Sequence, residues 1–330
     1  MQVSVAATVL NERRDIEGLV HSLMQQTLAP AEVILVDGGS TDGTWEWLET
    51  ARSRYPSLIA IRDESCSLKF SPGPIARGRN VGITAATSEV IACADCGCVY
   101  GPDWLGNLAA SLVEGRAEYA LGGSWIDPDD PDATLWDLAS APFFGVKLGL
   151  EEPTKSCTAR SMAFRKSLWK RVGGFPETVF LGEDTIFDAA ARRTVAPVFA
   201  QRAKALYRPR HTFASALRQL ASYAVTDGVL GVRPARLLRN LLRSVAMVAV
   251  LLLLPLTPVP FLVDLALETY WAFRLDWRQI GKAPAKVKAA RLAFSLLVPW
   301  VVFWNQIIGA RTKRNRANRQ NTEAPGLSPN

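Results

Sequence analysis

Short runs of aliphatic and β-branched residues alternate with amphipathic stretches through the first third of the chain, the rhythm of a sheet assembled from βαβ units. Val3–Val9 reads as a strand, Asn11–Arg14 as a polar loop, and Asp15–Gln26 as a helix whose Ile16, Leu19, Val20 and Leu23 recur on one face. Pro30 closes that unit. Val33, Ile34, Leu35 and Val36 are apolar without alternation, as in a strand covered on both sides in a parallel sheet. Gly38 and Gly39 then turn the chain toward a helix over Thr44–Arg54, and Leu58–Arg62 is a third strand. This βαβαβ order predicts a right-handed, doubly wound α/β half. Beyond it the pattern predicts a Gly/Pro-bearing loop over Cys66–Arg79, a helix over Arg79–Ala86, a strand over Glu89–Ala94, a helix over Asp103–Leu112 and a strand over Tyr119–Trp125. Ser161–Phe164 is a short strand and Arg165–Val172 a helix; a further helix runs from Glu183 through Arg193, and a strand lies near Val198–Ala200.

After residue 230 the pattern changes. Arg233, Arg236, Arg239 and Arg243 share one helical face, and Ser244–Val263 follows without a charge, interrupted by Pro255, Pro258 and Pro260. Leu292–Ala310 is a second uncharged stretch, carrying Trp300 and Trp304. About twenty residues at about 1.5 Å each match a hydrocarbon layer of about 30 Å. Basic groups flank both stretches, which leaves two arrangements open: a two-span hairpin, or segments dipping into the cytoplasmic leaflet with their flanks on lipid headgroups. The expected organisation is a catalytic domain over 1–230, membrane-associating helices over 231–310 and a basic disordered tail over 311–330.

Charge sharpens this division. Residues 1–200 carry 18 Lys and Arg against 26 Asp and Glu, whereas residues 201–330 carry 20 against 5. A basic segment wrapped around apolar runs, without exposed aromatics on a polar module, points to a membrane and not to nucleic acid. The start of the chain lacks a basic n-region and enters a strand directly, so no signal peptide is expected. The chain has five cysteines, and Cys93, Cys96 and Cys98 crowd one strand end. No second ligand pair follows, so buried thiols in a reducing cytosol are the expected account.

The candidate chemistry sits at strand ends. Asp37 closes the Val33–Val36 strand, and in open α/β sheets ligands bind beyond the carboxyl ends of strands. VLNE at Val9–Glu12, VDGGSTDGT from Val36 and GEDT at Gly182–Thr185 follow one another in a characteristic order. With these motifs the chain resembles the inverting nucleotide-sugar glycosyltransferases of family 2, over about residues 1–230. The resemblance implies a GT-A-type fold: a mixed, mainly parallel sheet with a Rossmann-like first half, here followed by C-terminal hydrophobic helices. It implies a nucleoside pocket lined by Thr8, Asn11, Glu12, Asp37, Gly39 and Ser40, and a diphosphate met by Lys69, Arg77, Arg79 and Asn80. Asp95 falls where the family carries an Asp-x-Asp pair that holds a divalent cation, Mg²⁺ or Mn²⁺; Gly97 replaces the second carboxylate, and His211 is a candidate for the missing ligand. The segment Gly173–Glu177 followed by Glu183-Asp184 resembles the family's GGF and ED motifs, which makes Asp184 the base that deprotonates the acceptor and Glu183 its neighbour.

Arg218–Tyr223 resembles the Gln-x-x-Arg-Trp motif of processive synthases, but Ser222 and Tyr223 replace its Arg and Trp, which implies a single addition. The aromatic residues Trp136, Phe143 and Phe144 are either core or the wall of an acceptor site. The expected activity is transfer of a sugar from a nucleoside-diphosphate sugar to a hydroxyl of a lipid-linked or envelope glycan acceptor. The expected location is the inner, cytoplasmic membrane, with the catalytic domain in the cytoplasm. The alternative prompted by Gly97 is a catalytically silent, membrane-bound nucleotide-sugar binding module. A nucleotidyltransferase would need a Gly-rich signature near the first strand that the sequence lacks.

Overall fold

The computed structural model describes residues 2–149, 158–209, 211–230, 234–253 and 283–323, with short pieces between 262 and 281. These residues form two compact units, one of 1–133 with 145–210 and one of 134–144 with 211–330.

The first unit is built on a mixed sheet whose strand order is β3-β2-β1-β4-β8-β6-β9-β5, with β7 beside β6. The strands are β1 (Val3–Val9), β2 (Glu32–Asp37), β3 (Leu58–Arg62), β4 (Val90–Cys93), β5 (Cys98–Tyr100), β6 (Tyr119–Ile126), β7 (Lys147–Leu148), β8 (Met162–Arg165) and β9 (Val198–Tyr207). β1 to β4 pair in parallel, β8 runs antiparallel to both β4 and β6, and β6 runs parallel to β9. The expected mixed, mainly parallel sheet with a doubly wound first half is therefore the observed one.

Alternation along the strands feeds two cores. Val3, Val5, Val33 and Leu35 face α1 (Ile16–Met24), α2 (Thr44–Arg54) and α4 (Trp104–Val113). Ala6, Ile34 and Val36 face α3 (Pro74–Ala85), α6 (Lys166–Val172) and α7 (Glu183–Ala191). α3 begins at Pro74, not at Arg79 as the Gly/Pro-rich stretch suggested, because proline at the first helical position lacks only an N–H that has no intrahelical partner. Arg77, Arg79 and Asn80 thus belong to one helix. Gly78 lets that helix lie against β1, since a Cβ there would collide with Thr8 Oγ1. β9 continues to Tyr207, past the expected Ala200, through the polar residues Gln201, Arg202 and Lys204.

The second unit contains α5 (Leu135–Ser140), α8 (Phe213–Leu230), α9 (Pro234–Leu253) and α10 (Ala285–Glu323). Trp136, Phe143 and Phe144 pack with Ala216, Leu220, Phe294 and Val298, so the aromatic cluster is core. Gly228 and Gly309 bring α8 and α10 together closely enough that a Cβ on either would strike the other helix's backbone. α8 is thus bound into this unit, which takes up the chain again at His211. Ala285–Thr312 is long and apolar enough to cross a membrane, with 39% of its apolar window buried. The first uncharged stretch, Ser244–Val263, lies partly outside the described residues.

Candidate active site

β1, β2 and β4 are parallel neighbours, so their carboxyl ends open onto one edge. There the loops after β1 and β2 are stitched together. Asn11, held at φ 57°, donates its backbone N–H to Ser40 Oγ (2.8 Å) and accepts from Thr41 N–H through Oδ1 (2.9 Å). The N–H of Glu12 donates to Thr44 Oγ1 (2.9 Å), and that of Arg13 to Asp42 Oδ2 (3.0 Å). Asp37 is fully buried between them, its Oδ1 accepting from the N–H groups of Gly39 (2.8 Å) and Ser40 (2.7 Å). Its Oδ2 is buried without a partner among the described residues. An orphaned carboxylate oxygen costs about 1–3 kcal/mol or more, which a ligand N–H or O–H would recover.

Glu12 sits on the same edge. Burial, Asp15, Asp42 and Asp95 push its carboxyl up to about 7, against a hydrogen bond from the Cys96 thiol. Burial likewise raises the thiols of Cys66 to about 11 and of Cys93 and Cys98 to about 12, so they are neutral, unreactive groups. The four described cysteines are all free.

The centre of the edge is Arg79, whose side chain is only 4% exposed. One amino group pairs with Asp95 Oδ1 at 2.5 Å, at the tip of β4; the other pairs with Glu183 in the first turn of α7. Desolvation works against the guanidinium's charge, but the two carboxylates outweigh it and hold its pKa above the ordinary value. Tyr100 fixes the other side of Asp95: its hydroxyl accepts from Asp95 N–H (2.9 Å) and donates to the carbonyl of Arg160 (3.0 Å). Asp184 lies next to Glu183, its Oδ1 accepting from Thr185 N–H (2.7 Å). Burial pushes its carboxyl above the usual range, and the charges of Arg79 and Arg160 oppose that rise. Glu183 is raised for the same reason, with Arg79 opposing and Asp184 adding to the shift.

The residues expected at the diphosphate and the cation have these surroundings. Arg79 was expected on a diphosphate, but its guanidinium is spent on two carboxylates. Asn80 was expected there too, yet its amide is saturated: Nδ2 donates to Phe175 O and Glu177 Oε1, and Oδ1 accepts from Phe175 N–H and Trp169 Nε1. Arg77 is tied to Glu177 (3.1 Å) and Ser65 (2.8 Å), half-exposed, while Lys69 is exposed with its Nζ over the Phe70 ring. His211, the expected candidate cation ligand, belongs to the second unit, where its ring is hydrogen-bonded with Gln219 and lies 3.5 Å from Asp137. Thr8 lies beneath Gly78, its hydroxyl 3.4 Å from Val36 O. Arg160 was not anticipated, because only the fold brings the turn Ala159–Ser161 beside α7.

Among the described residues no group of three or more His, Cys, Asp and Glu is placed to hold a metal ion. Asp95 keeps Oδ2 outside its pair with Arg79, so the donor set fits a cation only in the mode in which one carboxylate, water and substrate phosphates share it.

Residues 4–173 match the family described as glycosyl transferase family 2. The chain belongs to glycosyl transferase family 2. The chain is 32% identical over 187 residues to the glycosyltransferase AglE of Haloferax volcanii, an alignment that covers 55% of this chain and 58% of the relative. It is 24% identical over 151 residues to the glycosyltransferase GlyG of Streptococcus pneumoniae, covering 46% and 48% respectively. The chain thus spans about half the length of the curated relatives it matches. Its fold is that of the mannosyltransferase PcManGT from Pyrobaculum calidifontis in complex with GDP-Man and Mn²⁺, with a TM-score of 0.52, 18% identity, and coverage of 95% of this chain and 87% of that one. As a family 2 member, the protein has Asp37 and Asp95 within the matched residues, while Glu183 and Asp184 lie beyond them.

Proposed function

We propose that this protein is an inverting glycosyltransferase that moves a sugar from a nucleoside-diphosphate sugar to a hydroxyl of a lipid-linked or envelope glycan, one sugar per acceptor. The observation that carries this reading is the meeting of Asp95 and Glu183 on Arg79, with Asp184 next along the chain and the unsatisfied oxygen of Asp37 at the end of a neighbouring strand. Asp37 Oδ2 accepts a hydrogen bond from the nucleoside, and the Asn11–Ser40 seam shapes the pocket around it. Asp184 takes the acceptor's hydroxyl proton as that oxygen bonds to the anomeric carbon; the bond from that carbon to the diphosphate breaks, and the nucleoside diphosphate leaves with the electron pair. A raised pKa suits Asp184 to this task, because a carboxylate nearer neutrality holds the abstracted proton better. Arg79 acts as a positioning residue. It holds Asp95 and Glu183 in place and keeps the pocket's negative charge balanced. A divalent cation held by Asp95 and the donor's phosphates would supply charge stabilisation to the leaving group.

Membrane association is part of the same reading. Leu238, Leu242, Val245, Val248 and Leu252 on α9 are exposed, as are Leu297, Trp304 and Ile308 on α10. Apolar stripes of this kind, flanked by arginines, suit a lipid surface on the cytoplasmic side.

The test is transfer from UDP-, GDP- and dTDP-sugars to a membrane extract, comparing wild type with Asp184→Asn. Loss of transfer with retained donor binding is expected. Equal turnover in both proteins would end the assignment of the base, and absence of donor binding by the wild type would end the reading as a whole.

A further inference from the structure

A second concavity lies in the first unit, away from the carboxylate edge. It is a cleft of about 640 Å³ at the β5–β9 margin of the sheet, lined among others by Trp125, Arg202, Lys204, Gln201, Asn107 and Asp103. Its volume falls within the range of about 300–1,000 Å³ typical of ligand sites.

The strand register explains how this lining arises. Leu206 of β9 pairs with Trp125 of β6 on one side and with Val99 of β5 on the other, so the three side chains share one face of the sheet. Lys204 follows at the next position on that face. Between Leu121 and Gly123 the β6–β9 register shifts, and β9 carries extra residues there. A bulge of this kind re-aims side chains. Here both Gln201 and Arg202 are exposed and line the cleft. From the opposite side, α4 contributes Asn107, and Asp103 is oriented by a hydrogen bond from Thr27 Oγ1 (2.8 Å).

The chemistry of this set is specific. The half-buried indole of Trp125 is a flat apolar platform, of the sort that stacks on the C–H face of a sugar ring. Gln201 and Asn107 carry amides that both donate and accept, as hydroxyl groups require. Arg202 offers a planar fork for a carboxylate, sulfate or phosphate, beside Lys204, which has an interaction of its own, and the carboxylate of Asp103.

We propose that this cleft binds an anionic saccharide, its ring on Trp125 and its acidic group on Arg202. The site is independent of Asp184 and stands whether or not the transfer reaction assigned above is right. Tyr100 links the two places, its residue lining the cleft and its hydroxyl holding the backbone of Asp95.

The test is isothermal titration of the full chain with tetragalacturonate and with a heparin-derived tetrasaccharide, alongside methyl-esterified tetragalacturonate and inorganic phosphate. The expected result is saturable binding of at least one anionic tetrasaccharide, weakened at least tenfold by Arg202→Gln and by Trp125→Ala. The neutral ester and inorganic phosphate are expected to bind at least tenfold more weakly than the tetrasaccharide. Arg202 is exposed, so its substitution leaves folding intact and keeps the result interpretable if Trp125→Ala does not fold. Failure of both anionic tetrasaccharides to bind would overturn the proposal. So would affinity unchanged in Arg202→Gln, or phosphate binding as tightly as the saccharide. Donor-sugar binding measured on the same samples separates this outcome from failure of the transfer reading.

Discussion

Arg79 on α3 and Asp95 at the tip of β4 meet at 2.5 Å, and the arginine's side chain is 4% exposed while the aspartate's is 29% exposed. The pair thus has a buried end that serves the fold and a more open end that faces the proposed donor. Replacing Arg79 by Ala leaves Glu183 buried beside Asp184 with its countercharge gone. Breaking a buried pair in this way costs about 3–5 kcal/mol. Denaturant unfolding is expected to show a loss of that size. Arg79→Lys retains the charge but cannot reach both carboxylates as a fork, and is expected to fall between Ala and wild type. A wild-type midpoint in Arg79→Ala would contradict this account.

Glu12 makes stability depend on pH. Its carboxyl is raised from 4.5 to about 7, so the folded state binds its proton more tightly than the unfolded chain does. The contribution of this group is fully favourable below about 4.5 and is lost as pH rises through about 7. Glu12→Gln, a neutral isostere, is therefore expected to gain in melting temperature relative to wild type between pH 5 and pH 8, roughly the window set by this shift. At pH 4 the two proteins should melt together. A constant difference across the series would remove Glu12 as the cause.

Gly78 has a steric role. Gly78→Ala puts a methyl group against Thr8 and is expected to cost about 1–3 kcal/mol by pushing α3 off β1. Thr8→Gly in the same chain removes the obstacle. In a double-mutant cycle the two changes should couple favourably, whereas additive losses would show that the clash lies elsewhere.

Asp184→Asn is expected to lower the rate of transfer by about 10²–10⁴-fold, the usual worth of a general base, with donor affinity little changed. In the wild type, the rate should fall as pH drops through an apparent pKa above the usual aspartate range, because burial raises this carboxyl. A profile flat down to pH 4 would argue against Asp184 as the proton acceptor.

The carboxylates at strand ends were legible in the sequence because each rests on a local signal. Val33–Val36 announces a buried strand, Gly38 and Gly39 announce its end, and Asp37 falls between them. Glu183-Asp184 likewise follows a glycine that lets the chain enter α7, with Gly182 at φ 80°. The partners of these carboxylates were not legible. Arg79 looked like a phosphate ligand because nothing in its neighbourhood reveals that β4 and α7 will flank it. Arg160 owes its place to β8 lying beside β4, and Tyr100 to β5 pairing with β9, two antiparallel pairings that have no local mark. β5 is three residues long and sits among cysteines, too short for alternation to register. In the second unit, the uncharged stretch Leu292–Ala310 read as lipid-facing on composition; one of its faces is instead covered by α8, through the small residues Gly228, Ala224 and Gly309.

The passage of the chain into the second unit at Thr134 and out again at Phe144 bears on how the protein is made. α5 and its aromatic neighbours emerge from the ribosome long before α10, the helix against which Phe143 and Arg291's partner Leu138 are packed. During synthesis the sheet can close while Trp136, Phe143 and Phe144 wait uncovered, an interval in which a nascent polypeptide is prone to self-association. Expression of a fragment ending at residue 210 would make that interval permanent, and such a fragment is expected to be recovered in inclusion bodies unless the loop 134–144 is cut out with the helices it serves.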